Sequence, residues 1–291
     1  MPIQGENQPG NDLKPNYSWD DAIKITVTNE IHGIILYVPT NDEGWREIEN
    51  GFKNRWNFPF CYGAIDGKHI HIVAPENSGT IYFNYKQVFS IVLMALVDDD
   101  YCFRYIDVGA CGMSSDGSVF RNCSLYNKLE NNLLPNGGVI VADAAFPLKP
   151  YILKPYPGDN LEWSQKVFNY RLFRARRVVE NAFGILVSRF RVFQKPIAAD
   201  VNTVDKVVLA ACALHNWLRC ENRKTYITST DIDREDIETG NTYSVSWRTE
   251  TTGLQSHVTK EVTILRFQQF RNEKPLRTTL TMKVLCLGNQ E

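Results

Sequence analysis

The chain has 291 residues, of which 43% are hydrophobic and 22% charged, and its formal net charge at pH 7 is −1. This composition predicts a globular protein with one large core, and it excludes a chain that coats polyanions over its whole surface. Contact with nucleic acid would therefore have to come from a local basic patch. The seven cysteines include no Cys-x-x-Cys pair, which argues against a disulfide framework or zinc knuckle and favours a reducing compartment.

No stretch of the sequence resembles a membrane span or a leader peptide. The longest apolar run, residues 89–97, is too short to cross a bilayer. The first residues are rich in Asn, Gly and Pro and lack a basic segment followed by an apolar one. We therefore expect a soluble, intracellular protein without a membrane partner.

The N-terminal part is predicted to be a flexible tail followed by a helical segment. Residues 1–17 combine glycines and prolines with polar residues, a composition that buries too little apolar surface to become ordered. Residues 18–56 form the helical segment, with a weak helical pattern from Ser18 towards Leu36. A clearer helix follows, for which Thr40 and Glu43 predict a capping box, and it should end near Trp56.

The next part predicts a three-stranded antiparallel meander. Residues 61–73 alternate as in a strand, although Asp66 and Gly67 are both poor strand residues. Such a conflict with local preference is either a bulge or turn, or the sign of a functional site. Residues 89–97 and 101–108 form two further strands, and the polar turn between them, residues 98–100, is expected to be solvated.

A helix and a buried strand are predicted after the meander. Residues 114–117 offer a cap for a helix that reaches about Leu133, and the glycines and proline at 135–138 then break the chain. Residues 139–142 are all apolar and end at Asp143, which fits the rule that sites lie at the carboxyl ends of buried strands. The predicted fold class is α/β, a mixed sheet with the antiparallel meander, flanked by helices.

A long basic helix, residues 171–193, is the most distinctive feature of the sequence. Apolar residues recur at three- and four-residue steps and form a core-facing stripe: Leu172, Ala175, Val179, Ala182, Phe183, Leu186 and Phe190. The basic side is a candidate DNA-binding surface, formed by Lys166, Arg171, Arg174, Arg177, Arg189 and Arg191. Glu180 falls at the margin between the two faces. A further core helix is predicted at residues 203–218.

Asp66, Asp143 and Glu180 each lie where local structure would let a carboxylate point into one shared cleft. Carboxylate oxygens are the ligands that Mg²⁺ prefers, and a pair of such ions can stabilise both reacting oxygens in phosphodiester cleavage. The alternative for Glu180 is a simple helical ion pair with Arg176, four residues earlier. The residues alone leave both interpretations open.

Several other residues compete for functional roles, and each has a plainer interpretation. Asp116 and Asp98 are both candidate metal ligands. The plainer interpretation of Asp116 is a helix cap, and Asp98 belongs to the turn that is expected to be solvated. His69 and His71 share one face of a strand, yet no third zinc ligand follows at suitable spacing. His215 is more simply explained as a buried, hydrogen-bonded histidine.

Several ordered blocks of the sequence resemble the PIF/Harbinger-type transposases and the nucleases derived from them, within the DDE superfamily of RNase H-like fold. The matching blocks span roughly residues 56–220: Trp56-Asn-Phe-Pro59, Gly63-Ala-Ile-Asp-Gly-Lys-His69, Asn84-Tyr-Lys86, the segment from Gly112 to Phe120 with Asp116, Ala142-Asp-Ala-Ala-Phe-Pro-Leu148, Arg176-Arg-Val-Val-Glu-Asn-Ala-Phe-Gly-Ile-Leu186 and Leu214-His-Asn216. The resemblance implies that Asp66, Asp143 and Glu180 are the metal-binding catalytic triad, with Mg²⁺ or Mn²⁺ as cofactor.

The resemblance also implies a domain organisation and a cellular setting. Residues 57–220 would be the endonuclease domain and 221–291 a poorly defined C-terminal extension. The short segment before residue 56 leaves little room for a helix-turn-helix-like unit, so target recognition is expected to involve a Myb/SANT-like DNA-binding partner in the nucleus. The expected function is metal-dependent DNA cleavage, and the alternative is a domesticated, non-catalytic DNA-binding or scaffold protein that kept the fold.

Overall fold

The structure is a computed structural model that describes residues 36–135, 137–223, 225–228, 230–235 and 242–243. The predicted tail at 1–17, the weak helix towards Leu36 and most of the extension at 221–291 lie outside the described residues. In that extension the described strands are β6 (Arg234–Glu235) and β7 (Thr242–Tyr243), which pair antiparallel. No helix in the described part of the chain is long and apolar enough to span a membrane.

Helix α1 (Asp42–Trp56) begins one residue later than the predicted capping box places it. Asn41 has an extended backbone, and its side-chain oxygen accepts a hydrogen bond from the Gly44 amide at 3.0 Å. Asn41 is therefore the N-cap, and the prediction of Thr40 is wrong because the chain is still extended one residue beyond it. The predicted end at Trp56 is confirmed, and the apolar face of the helix packs against β1.

A five-stranded mixed sheet forms the centre of the molecule, in the order β3-β2-β1-β4-β5. The strands are β1 (Cys61–His71), β2 (Ser90–Val97), β3 (Phe103–Cys111), β4 (Val139–Val141) and β5 (Ile152–Leu153). Strands β1, β2 and β3 pair antiparallel, which confirms the predicted meander, whereas β4 pairs parallel with β1 and with β5. The apolar residues of β2 are buried on both faces because helices cover the sheet from both sides.

The two faces of the sheet carry different helices. On one face lie α2 (Asp116–Asn122) and α3 (Ser124–Glu130). On the other lie α1, α4 (Trp163–Arg189) and α5 (Val201–Glu221). The prediction of one helix as far as Leu133 is wrong, because Cys123 adopts an extended conformation (φ −80°, ψ 157°) that separates α2 from α3.

The polar turn between β2 and β3 is buried, which corrects the expectation that it is solvated. The Asp98 side chain is about 2% exposed and lies 2.6 Å from Arg104 Nε. Its other oxygen accepts hydrogen bonds from the backbone amides of Asp100 and Cys102, both at 2.9 Å. A carboxylate tolerates burial when it is paired and hydrogen-bonded in this way. Asp98 is therefore a structural residue, and among the described residues it is not part of the group that could hold an ion.

Candidate metal centre and its surroundings

The pairing of β1 with β4 brings Asp66 and Asp143 to the same level of the sheet. The register pairs Ala64 with Val141, the last residue of β4. Asp66 and Asp143 each follow two residues later, where β1 continues without β4 as a neighbour. Because the two strands run parallel, both acids lie at the carboxyl end of β4, where the sheet opens.

Asp116 joins these two residues from the first position of α2. Its interpretation as the helix cap is wrong, because Ser115 is the N-cap and its side chain accepts the amide of Ser118. One carboxylate oxygen each of Asp66, Asp116 and Asp143 can be chosen so that all three lie within 4.8 Å of one another. Gly67 makes this approach possible, because a Cβ atom at that position would lie 2.1 Å from Asp116 Oδ1. The Asp-Gly pair that conflicts with strand preference therefore has a local purpose: Asp66 supplies a carboxylate and Gly67 makes space for another.

Two of the three carboxylates are oriented by hydrogen bonds from the backbone. Asp66 Oδ1 accepts the amide of Gly67, and Asp143 Oδ1 accepts the amide of Ala145, both at 2.9 Å. Each bond fixes the direction of its carboxyl group without cancelling the negative charge. Local structure thus orients Asp66 and Asp143, and the packing of α2 on the sheet adds Asp116, so that hard oxygen donors are concentrated at one point.

The electrostatic environment of the cluster disfavours carboxylates without a cation. Burial raises the pKa of Asp66 to about 8; the neighbouring Arg176 opposes this, while Glu180, Asp143 and Asp116 add to it. Burial and then the charge of Asp143 raise the pKa of Asp116 to about 6. A bound divalent cation would reverse this cost, because opposite charge favours the ionised form. The donor chemistry and charge of the site therefore fit a divalent metal.

Glu180 lies beside this cluster but is linked to it through an arginine. Its side chain is 25% exposed, and Oε1 lies 3.6 Å from Arg176 Nη2. The same nitrogen lies 3.9 Å from Asp66 Oδ2. The helical ion pair suggested by the sequence is thus present, and Arg176 stands between Glu180 and Asp66. Glu180 as a metal ligand remains a prediction.

The predicted DNA-binding residues differ in exposure. Lys166, Arg189 and Arg191 are exposed, and Arg171 and Arg174 are partly exposed. Arg177 is only 5% exposed, so the expectation that it belongs to an open basic face is wrong. Residues 177–179 and 181–187 are all buried, so more of the circumference of α4 is enclosed than one apolar stripe predicts.

The histidines do not form a metal site in the described part of the chain, where the three aspartates are the group that could hold an ion. His69 Nδ1 lies 2.9 Å from Ser90 Oγ, and burial, followed by the charge of Lys86, lowers the pKa of His69 to about 4. His215 is fully buried, with Tyr101 O 2.8 Å from Nε2 and the Tyr226 hydroxyl 3.0 Å from Nδ1. The prediction of a hydrogen-bonded core histidine is confirmed for His215.

A family model described as DDE superfamily endonuclease matches residues 65–216. This range includes Asp66, Asp116, Asp143 and Glu180. Protein ALP1-like of Arabidopsis thaliana is 31% identical over 185 residues, covering 58% of this chain and 46% of that protein. HARBI1 of Rattus norvegicus, which is named as a candidate nuclease, is 24% identical over 188 residues, covering 62% and 52%. The chain spans about half the length of these relatives. No solved structure matches significantly.

Proposed function

The chain belongs to the DDE superfamily of endonucleases, and on this premise we propose that it cleaves DNA phosphodiester bonds with the help of divalent metal ions. Its resemblance to Harbinger-type nucleases is confirmed by the family match and by the similarity to ALP1-like and HARBI1. The observation that carries the proposal is the convergence of Asp66, Asp116 and Asp143 at the carboxyl end of β4.

The metal would be Mg²⁺ or Mn²⁺, as the resemblance to the Harbinger-type nucleases implies, and the carboxylate oxygens of the cluster suit these ions. Asp66 and Asp143 would hold it, with Asp116 as a further ligand across Gly67. Divalent ions held by these residues would supply positive charge to stabilise the attacking and leaving oxygens of the phosphodiester. Glu180 would complete the site if its carboxylate moved away from Arg176. In the metal-free protein, the guanidinium of Arg176 offsets the negative charge of both Glu180 and Asp66.

We further propose that the domain has an RNase H-like fold. The strand order β3-β2-β1-β4-β5, with three antiparallel strands followed by two parallel ones, supports this assignment. The family match supports it as well, because residues 65–216 include most of β1 and the whole of the other four strands of the sheet.

The DNA backbone would be held in part by the basic residues of α4 and the turn after it. Lys166 and Arg191 are exposed basic side chains at either end of this segment, and cations so placed attract phosphates without reading sequence. Sequence recognition would then fall to a separate Myb/SANT-like protein, and residence in the nucleus would follow from a chromosomal substrate.

Replacing Lys166 or Arg191 by Ala should weaken binding to all DNA sequences alike. Each lost phosphate contact lowers the slope of log Kd against log salt concentration by about one unit. Lys128→Ala is the matched control, because Lys128 is an exposed basic residue of α3, on the opposite face of the sheet from α4. Fluorescence anisotropy at several salt concentrations measures the slopes. Unchanged slopes for both variants would mean that this surface is merely solvated.

The proposed cleavage is tested by nicking of supercoiled plasmid with Mg²⁺ or Mn²⁺, compared with the same protein in excess chelator. Wild-type protein should nick only with metal, and Asp143→Asn should reduce nicking by at least about 100-fold because a charged metal ligand is lost. Asp159→Asn, at an exposed loop position, should behave as wild type. Equal nicking by the Asp143 variant would contradict the assignment. DNA binding without nicking would instead support a non-catalytic DNA-binding or scaffold protein.

A further inference from the structure

An exposed aromatic ring stands near the aspartate cluster. Tyr85 is 70% exposed, the largest exposure among the large hydrophobic side chains described. Its ring packs edge-on against His69, with the ring centres 5.6 Å apart. The ammonium of Lys86 lies 5.5 Å from the centre of the same ring. One surface therefore combines a flat aromatic ring with positive charge, although neither side chain is needed to fill the core.

Tyr85 is carried by a turn that a buried side chain holds in one conformation. The Asn84 side chain accepts the amides of Lys86 at 2.9 Å and Val88 at 3.3 Å. Its amide nitrogen donates to Ser90 Oγ at 2.8 Å, and Ser90 Oγ lies 2.9 Å from His69 Nδ1. The turn that carries Tyr85 and the histidine beside its ring are thus tied to β1 and β2 before any ligand binds.

The position of this ring follows from the alternation of β1. Positions 67 and 69 lie on the same face of the strand, about 7 Å apart along it. Asp116 lies over Gly67, and Tyr85 packs against His69, so the two are neighbours on that face. Burial raises the pKa of the Tyr85 phenol, and Asp116, Asp66 and Asp143 raise it further. The neighbouring contacts at Gly67 and His69 thus place the ring beside the aspartate cluster.

We propose that Tyr85, assisted by Lys86, is a stacking platform for an unpaired nucleobase of a DNA strand, next to the phosphate presented to the aspartate cluster. The inference rests on the proposed nuclease function and specifies its substrate as DNA that is single-stranded or locally opened at the cut. Every base has a π-face, so an aromatic ring beside a cation binds unpaired strands without sequence preference. Lys86 also offsets the repulsion between the acids and the phosphates of the strand.

The test uses a short single-stranded oligonucleotide that carries 2-aminopurine, a fluorescent adenine analogue, and phosphorothioate linkages around it to slow cleavage. With Mg²⁺ present, wild-type protein should bind it and quench its fluorescence by stacking. Tyr85→Ala should weaken binding by about 5- to 150-fold and abolish the quenching, while Tyr85→Phe should keep both because the ring remains.

Tyr37→Ala is the matched control. Tyr37 is also exposed, at 48%, and has Arg104 at 5.2 Å from its ring, near the opposite end of β3 from Cys111. Neither binding nor quenching should change in this variant. The stacking proposal is wrong if the Tyr85→Ala variant binds the oligonucleotide and quenches its fluorescence as wild type does. It is also wrong if this substitution weakens binding of a fully paired duplex as much as binding of the single strand. Wild-type protein that binds no DNA would overturn the nuclease proposal itself, an outcome distinct from an unaffected Tyr85 variant.

Discussion

Asp66→Asn is expected to stabilise the metal-free protein, by an amount that grows as the pH rises. Asp66 has a pKa of about 8 in the folded protein and an ordinary value of 3.8 in the unfolded chain. At pH values between these two pKa values, the unfolded chain has released the proton and the folded protein still keeps it. The free energy of unfolding of the wild-type protein therefore falls as the pH rises. Asn does not titrate, and the variant therefore escapes this loss.

The expected difference in free energy of unfolding is close to zero near pH 4 and reaches a few kcal/mol at pH 9, because each pH unit between the two pKa values contributes at most about 1.4 kcal/mol. Denaturant titrations in chelator at pH 4, 6 and 9 measure it. Asp159→Asn, at an exposed position, should show no such trend. A difference that stays constant with pH would mean that Asp66 is not held in the acidic, buried surroundings described above.

Glu180→Gln is expected to reduce cleavage by at least about 100-fold while DNA binding is kept or becomes tighter. The amide keeps the shape and most hydrogen bonding of the side chain, but it removes the charge that a metal ligand supplies. If Glu180 is only the helical partner of Arg176, the same change costs about 0.5 kcal/mol of stability or less and leaves cleavage unaltered. Plasmid nicking and anisotropy on the same preparation separate the two outcomes.

Glu221→Gln is the control for Glu180→Gln, because Glu221 is the exposed last residue of α5. Its nicking rate should equal that of wild type. Wild-type cleavage by the Glu180 variant would make α4 an architectural helix, and Asp116 would then be the third acid of the site.

The sequence indicated Asp66, which the structure places in the aspartate cluster, because Asp66 and Gly67 are both poor strand residues. Two poor strand residues within an alternating run indicated a functional position, and the structure supplies the reason for the glycine. Asp116 could not be chosen over its plainer interpretation as a helix cap, since its nearness to Gly67 depends on how α2 packs on the sheet. Sequence periodicity predicts faces and not distances between elements.

The wrong predictions of exposure for Asp98 and Arg177 share a physical cause. Asp98 and Arg177 were expected at the surface because charged residues rarely lie buried without a partner. The partner of Asp98 is Arg104 on the next strand, and Arg177 is enclosed because α4 is covered on most of its circumference. Both facts depend on tertiary packing. Cys123, which separates α2 from α3, likewise carries no local breaker signal such as Gly or Pro.

The metal centre is tested most directly by calorimetric titration of Mn²⁺ into wild-type protein and into the Asp66→Asn variant at pH 7. Wild-type protein should bind the ion and release close to one proton from Asp66, because its carboxyl group is still largely protonated at this pH. The release appears as a binding heat that changes with the ionisation enthalpy of the buffer. The variant should show no binding at the same concentrations. Equal Mn²⁺ affinity in the two proteins, or no binding to wild type, would contradict a metal centre at Asp66, Asp116 and Asp143.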